Sequence, residues 1–340
     1  MPLPDALLLD LAARRAVEGR HASPAVVDQA IDHRMAGLLW SRIEAGAVTV
    51  EDADRARLLR IDLANRQHHR VLRSALAEVQ RRAAEAGLEV ASFKGVTAAA
   101  RWYARPSERP ASDLDVWLNP DQRAEGARLV EALAPEFEVP RKKRAALEAS
   151  RLPVLEVPIT TDLGTVAVDV HFDLLRLGVT PRDPRALWQG VHPIAIEDGP
   201  EALVLAPEAA LLQLLLHTNR DRFRYLIGYA DIARMLIPED EQEAVDWPAF
   251  WRMTRREGAE VPVHETLRTV LVTLGLDPPP GLPGAPRGWR PALWRRLWGP
   301  SQRLLGTGSP GGDRRRLRFL PLLVRGATPE AAAAWVRGSV

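Results

Sequence analysis

The chain of 340 residues contains no cysteine. That excludes disulfides, thiolate zinc sites and thiol nucleophiles, and makes a reducing, cytoplasmic compartment the expected one. Lysine is nearly absent: only three of the 46 basic residues are lysines, Lys94, Lys142 and Lys143. Arginine supplies the others, so an arginine-rich patch means less here than in an ordinary chain. Net charge is small as well, with 46 basic against 44 acidic residues. Such a balance is unlike a dedicated nucleic-acid binder. No apolar run reaches about 18 residues, so no membrane-spanning helix is expected. The first twenty residues carry Asp5 and Asp10 on their apolar face and read as an amphipathic helix, not a signal peptide. No internal repeat of fixed period is visible.

What is present falls into three stretches: a helical region over residues 1–87, an α/β unit over 88–200, and a second helical region over 201–340. Ser23-Pro24 places a capping residue before a proline at the first helical position. A long helical pattern runs over 51–86, and Gly87 stops it. His68 and His69 lie inside that helix. Neighbouring helical residues point about 100° apart, so the two cannot easily share one metal, and a solvated or core-edge pair is the plainer reading. After Gly87 the texture changes. "LEVASF" reads as a strand, Lys94-Gly95 as a turn, "VTAAARWY" as a short helix, "ARPSERPAS" as a loop and "DLDVWL" as a strand. Asn119-Pro120 then opens a helix over 121–133. Two more strands are expected over 152–159 and 164–172, giving an α/β unit of about 110 residues. "RKKR" at 141–144 reads as a solvated helix end. Residues 206–238 are apolar at helical spacing, and 276–313 are rich in proline and glycine.

Carboxylates are poor strand residues. Yet Asp113 and Asp115 stand two apart in an expected strand, so both side chains leave one face, while Leu114, Val116 and Leu118 leave the other. In "VAVDVHFDLL" the same parity separates Val166, Val168 and Val170 from Ala167, Asp169 and His171. If the two strands are neighbours with these faces aligned, three carboxylates meet on a small surface. Hard oxygen ligands of this kind suit Mg²⁺, which takes one or two carboxylates plus waters and phosphate oxygens. Two such ions hold both oxygens of an in-line phosphoryl displacement. The strand–Lys94–Gly95–helix unit points the same way. A glycine at such a turn lets backbone approach a phosphate, and the helix N-terminus favours negative charge. The bland alternative is a solvated Asp-x-Asp at a strand end.

Taken in order, "ANRQHHRVLRSALAEVQRRAAEAGLEVASFKG", "YARPSERPASDLDVWL", "VAVDVHFDLL" and "LLLHTNRDRFRYLIGYADIARML" resemble a family of bacterial nucleotidyltransferase-like proteins of the DNA polymerase beta-type superfamily. The likeness covers roughly residues 60–240. It implies an α+β fold, with a small mixed β-sheet core flanked by N-terminal and C-terminal helical regions. It also implies an enzyme that moves a nucleoside monophosphate from an NTP to a hydroxyl acceptor and releases pyrophosphate. In that reading Asp113, Asp115 and Asp169 are catalytic and hold Mg²⁺, as two ions, and Asp169 helps activate the acceptor hydroxyl. Lys94 and Gly95 stand where the superfamily usually has Gly-Ser, a departure in the phosphate-binding turn. Arg109 is a candidate for neutralising triphosphate charge. His171 either orients Asp169, meets the acceptor or is a satisfied buried histidine. Tyr103 is a nucleobase or acceptor contact, or core. The segment from His217 to Asp231, with Asn219, Arg220, Arg222 and Arg224, forms a helical lid whose arginines reach the triphosphate or lie solvated.

Two other classes stay open at this point. One is a non-catalytic nucleotide- or partner-binding module that keeps the fold. The other is a nucleic-acid binder using Trp289, Trp294 and Trp298 between the arginines of 287–303. The resemblance makes a small molecule or a peptide the expected acceptor. Neither base choice nor oligomeric state is legible.

Overall fold

The computed structural model describes residues 4–288 apart from 150–151, 176–181, 197–200 and 222, and also residue 292. The Trp/Arg segment 289–303 therefore lies outside the described residues, except for residue 292. Helices α1 (Ala6–Ala12), α2 (Pro24–Asp32), α3 (Ala36–Glu44) and α4 (Asp52–Glu85) open the chain. Between them run two short parallel strands, β1 (Arg20–Ala22) and β2 (Val48–Val50). These strands of three residues are too short to carry a periodic signal, and the sequence reading has only helix there. Helix α4 is 34 residues long and ends before Gly87, whose φ of +65° is the left-handed conformation that closes a helix.

The main sheet has the order β5-β6-β4-β3-β8-β7. Its strands are β3 (Val90–Phe93), β4 (Leu114–Leu118), β5 (Val154–Thr161), β6 (Gly164–His171), β7 (His192–Ala195) and β8 (Glu201–Val204). β4 runs parallel to β6 and antiparallel to β3, so the sheet is mixed. Helix α5 (Gly95–Trp102) follows β3, and a 3₁₀ turn (Pro120–Glu125) leads into α6 (Gly126–Leu133). The expected helix over 121–133 is a 3₁₀ turn as far as Glu125 and becomes α-helical only from Gly126. α7 (Arg141–Glu148) starts with the basic cluster, and α8 (Pro184–Trp188) precedes β7. The C-terminal helices are α9 (Pro207–Arg220), α10 (Leu226–Leu236), α11 (Trp247–Arg256) and α12 (Glu260–Leu274). β7 and β8 escape the sequence reading. Each has four residues, and Pro193 interrupts the first.

Strand parity divides the interior in two. Leu114, Val116, Leu118, Val166, Val168 and Val170 join Leu72, Leu76 and Val79 of α4 and Leu129, Val130 and Leu133 of α6 in one cluster. Each of these large side chains contributes about 1.5–3 kcal/mol on burial. On the other face Ala91, Phe93 and Trp117 join a larger cluster, which takes in α1–α3 together with α9–α12. The N-terminal and C-terminal helices therefore share one core, and it lies on the face that carries the acids. No helix among the described residues is long and apolar enough to cross a membrane.

The loop before β4 is fitted closely to α3. A Cβ on Gly37 would lie 2.8 Å from Glu108 Cα and closer still to the Ser107 carbonyl oxygen. Alanine is the better helix former by about 1 kcal/mol. The backbone collision outweighs that gain, because overpacking costs about 1–3 kcal/mol and Ser107 and Glu108 cannot swing aside as a flexible side chain does. Gly37→Ala is expected to lower the thermal midpoint; an unchanged or raised midpoint would refute the close fit.

Candidate active site

β4 begins beside the end of β6, and the register sets Asp115 directly opposite Asp169, with Val116 opposite Val170 and Trp117 opposite His171. Paired residues on adjacent strands leave the same face, so the two carboxylates stand together as the alternation in sequence requires. Asp113 lies one residue before β4 and Asp115 is its second residue. Asp115, Asp169 and His171 offer one ligand atom each, and these atoms lie within 4.8 Å of one another. Asp113 stands outside that trio. Its carboxyl is pushed above the ordinary range, first by burial and then by the negative charge of Asp115, and it accepts a hydrogen bond from Ser112 Oγ at 3.1 Å.

Asp115 is buried and twice partnered. Lys94 Nζ donates to its Oδ1 at 3.0 Å, and His171 Nε2 lies 2.8 Å from the same oxygen. Burial works against ionisation, but the Lys94 ammonium and the His171 hydrogen bond hold the carboxyl far below the usual carboxylate range. The His171 ring is itself buried and packs edge-on against Phe93 at 4.8 Å between centroids. The same Phe93 ring carries the Lys94 ammonium 4.9 Å from its centroid. Lysine thus occupies the turn as a compact charge directed at an acid.

The turn itself is unusual. Lys94 has φ +57° and ψ −154°, a region almost reserved for glycine. Gly95 follows at φ +35°, and a Cβ there would lie 3.3 Å from the Asp113 carbonyl oxygen. The turn backbone therefore presses against the start of the acidic strand, and Gly95 is small because the strand is close.

Arg109 and the C-terminal helices approach from the other side. Arg109 Nη2 donates to Asp231 Oδ2 at 2.9 Å, and its Nε lies 3.3 Å from both carboxylate oxygens. Burial alone lowers the guanidinium, yet the Asp231 charge leaves it above its ordinary value. Tyr103 is buried, and its hydroxyl donates to Asp231 Oδ1 at 2.6 Å. The Arg234 guanidinium sits 4.1 Å above the Tyr103 ring. His69 is buried too, and its Nε2 meets the Arg109 carbonyl oxygen at 2.8 Å. Burial pushes His69 down to about 4, so it is neutral near pH 7 and Nε2–H is the donor. Its neighbour His68 takes no part in this contact, as their helical separation requires.

His217 at the end of α9 is half-buried. Burial and the charges of Lys94, Arg220 and Arg109 push it well below its ordinary value, against the opposing pull of Asp115. A neutral ring accepts from Arg220 Nη2 at Nδ1, 2.8 Å away, and donates from Nε2 to Asp221 at 3.2 Å. Asn219 is buried and its Nδ2 donates to Thr266 Oγ1 on α12 at 3.1 Å. Arg224 stacks on Tyr225, which Arg34 covers as well. Arg222 lies outside the described residues.

The donor set fits a divalent cation. Two carboxylates and an imidazole converge within 4.8 Å, and Asp113 stands beside them, its carboxyl raised first by burial and then by the charge of Asp115. No curated protein matches the chain closely enough to lend it an activity. Residues 22–275, well over half of the sequence, match the family described as "Uncharacterised nucleotidyltransferase". The match spans the turn, the acidic strands and the helices around them, and the chain belongs to that family.

Proposed function

We propose that this protein is a Mg²⁺-dependent nucleotidyltransferase that moves a nucleoside monophosphate from an NTP to a hydroxyl on a small molecule or a peptide. The observation that carries the reading is the register Asp115 opposite Asp169, which gathers acids from separated parts of the chain on one face. Asp115 and Asp169 would hold the cation, with Asp113 at its edge. When bound, the cation supplies charge neutralisation for the triphosphate and its leaving group.

The chain's own groups do the positioning. Gly95 lets the turn backbone approach the phosphates, and Lys94 places an ammonium beside them. Arg109, held by Asp231, adds positive charge near the acids. His171 keeps Asp115 ionised and in place. Asp169, half-buried at the edge of the cluster, takes the proton of the acceptor hydroxyl. The acceptor oxygen forms a bond to the α-phosphorus, the bond from that phosphorus to the bridging oxygen breaks, and pyrophosphate leaves with the electron pair.

The test is incubation with Mg²⁺ and each NTP in turn, with pyrophosphate release and intact-mass analysis of acceptors and of the protein. One NTP is expected to give a mass gain of a nucleoside monophosphate and equimolar pyrophosphate. No pyrophosphate from any NTP, in the presence of small-molecule and peptide hydroxyls, would leave the non-catalytic binding module as the better account.

A further inference from the structure

We infer that Asp231 on α10 is a positioning residue: through Arg109 it locks the loop 104–112 that sets the metal-binding end of β4. The bonds gather on one short segment. Asp231 grips the Arg109 side chain, with 2.9 Å for its shortest contact, and takes the Tyr103 hydroxyl at 2.6 Å. His69 of α4 holds the Arg109 carbonyl oxygen at 2.8 Å. Asn65, one helical turn earlier, donates to the Ser107 carbonyl oxygen at 3.1 Å. Gly37 of α3 lies directly under Ser107 and Glu108. The loop is thus fixed from α3, α4 and α10 at once, and Asp113 begins only four residues after Arg109.

Among the described residues two ion pairs reach this loop: Arg105 with Glu44 of α3, which is partly exposed, and Arg109 with Asp231 of α10, which is almost wholly buried. The Asp231 side chain is 1 % exposed and Arg109 13 %. A buried carboxylate bonded to both a guanidinium and a phenol allows little sliding, since Tyr103 takes Oδ1 while the guanidinium spans both oxygens. The C-terminal helices therefore do more than cover the sheet. They determine where the acidic strand starts. For its catalytic consequence the inference rests on the reading of Asp113 and Asp115 as metal ligands; for the lock itself it does not.

The experiment is hydrogen exchange of the full chain, wild type against Asp231→Asn, followed by steady-state kinetics. Asparagine keeps the shape and removes the charge. Amides of residues 104–115 are expected to lose protection by about tenfold or more, while β5 and β6 keep theirs. Turnover should fall about 10–100-fold with KM for the NTP within about threefold, the pattern of a residue acting through others. Asp231→Glu, which restores the charge, should recover part of the protection. Unchanged exchange in 104–115 overturns the inference, and so does a uniform loss across the sheet, which would mark a merely structural role. A rise in KM with unchanged turnover also overturns it, by assigning Arg109 to direct phosphate contact. If Asp231→Asn does not fold, Tyr103→Phe removes one of the two grips and is read by the same exchange pattern, at smaller amplitude. Exchange tests the lock whether or not any NTP is turned over, so its failure and that of the transferase reading are separable.

Discussion

Asp115→Asn is expected to reduce pyrophosphate release by on the order of 10³-fold, the scale on which removal of one preorganised electrostatic partner acts. The substitution keeps the size of the side chain and takes away the charge that Lys94 and His171 share. It also leaves the Lys94 ammonium without its acid in a mostly buried place. The linkage with pH gives a second readout. The folded-state value of Asp115 is depressed, and its unfolded value is the ordinary one near 4. A depressed carboxylate contributes stability that is present above the unfolded value and is lost as pH falls towards the folded one. Wild type should therefore lose thermal stability steeply as pH drops below about 4, and Asp115→Asn less steeply. Melting curves between about pH 2 and 7 measure the difference. Parallel curves would show that the Lys94–Asp115–His171 arrangement does not hold in solution, and near-normal turnover in the variant would remove Asp115 from the chemistry.

Much of this site is legible in one sequence because strand parity is a hard constraint. Asp113, Asp115 and Asp169 sit at positions where the alternate residues are valine and leucine, so the hydrophobic face fixes the other face as well. The register then follows from burying Leu114, Val116, Val168 and Val170 together. The partners that tune the acids are harder to read. Asp231 lies 122 residues from Arg109 and 128 from Tyr103. An aspartate in the helical pattern "LIGYADIARML" carries no local sign of which distant side chains it meets. The same holds for His69, whose role depends on a carbonyl 40 residues further on.

Other parts are hidden for local reasons. β8 joins β3 through a single paired position, Ser92 with Val204, so its four residues carry little pattern of their own. β1 and β2 are three residues each and exist because α1–α3 bring their ends together. Tyr103 shows how a core side chain can carry a polar tie that its sequence position does not announce. It is core by burial, and its hydroxyl is a structural donor to Asp231. The shared core of the flanking helices is likewise invisible in sequence, since residues before 58 and after 205 meet only in space.

Lys94→Ala is expected to lower turnover by on the order of 10²-fold while tightening Mg²⁺ binding to the nucleotide-free protein. Two opposite effects follow from one charge. The ammonium lies 3.0 Å from Asp115 Oδ1, so it competes with a cation for that oxygen until a triphosphate draws it away. Unit charges near 4 Å interact by about 4 kcal/mol at a protein surface, enough to make the competition measurable. The backbone adds a further distinction. At φ +57° and ψ −154° a side chain costs on the order of 1–3 kcal/mol that glycine does not. Lys94→Gly should therefore melt above Lys94→Ala, although both lack the ammonium and both lose turnover. Lys94→Arg retains charge but replaces a compact donor with a wide planar one, and should not restore the wild-type rate. Titration calorimetry with Mg²⁺ and melting curves of the three variants decide the matter. Equal melting of the alanine and glycine variants would show the turn to be unstrained, and Mg²⁺ affinity unchanged by loss of the ammonium would show that lysine and cation do not contend for Asp115.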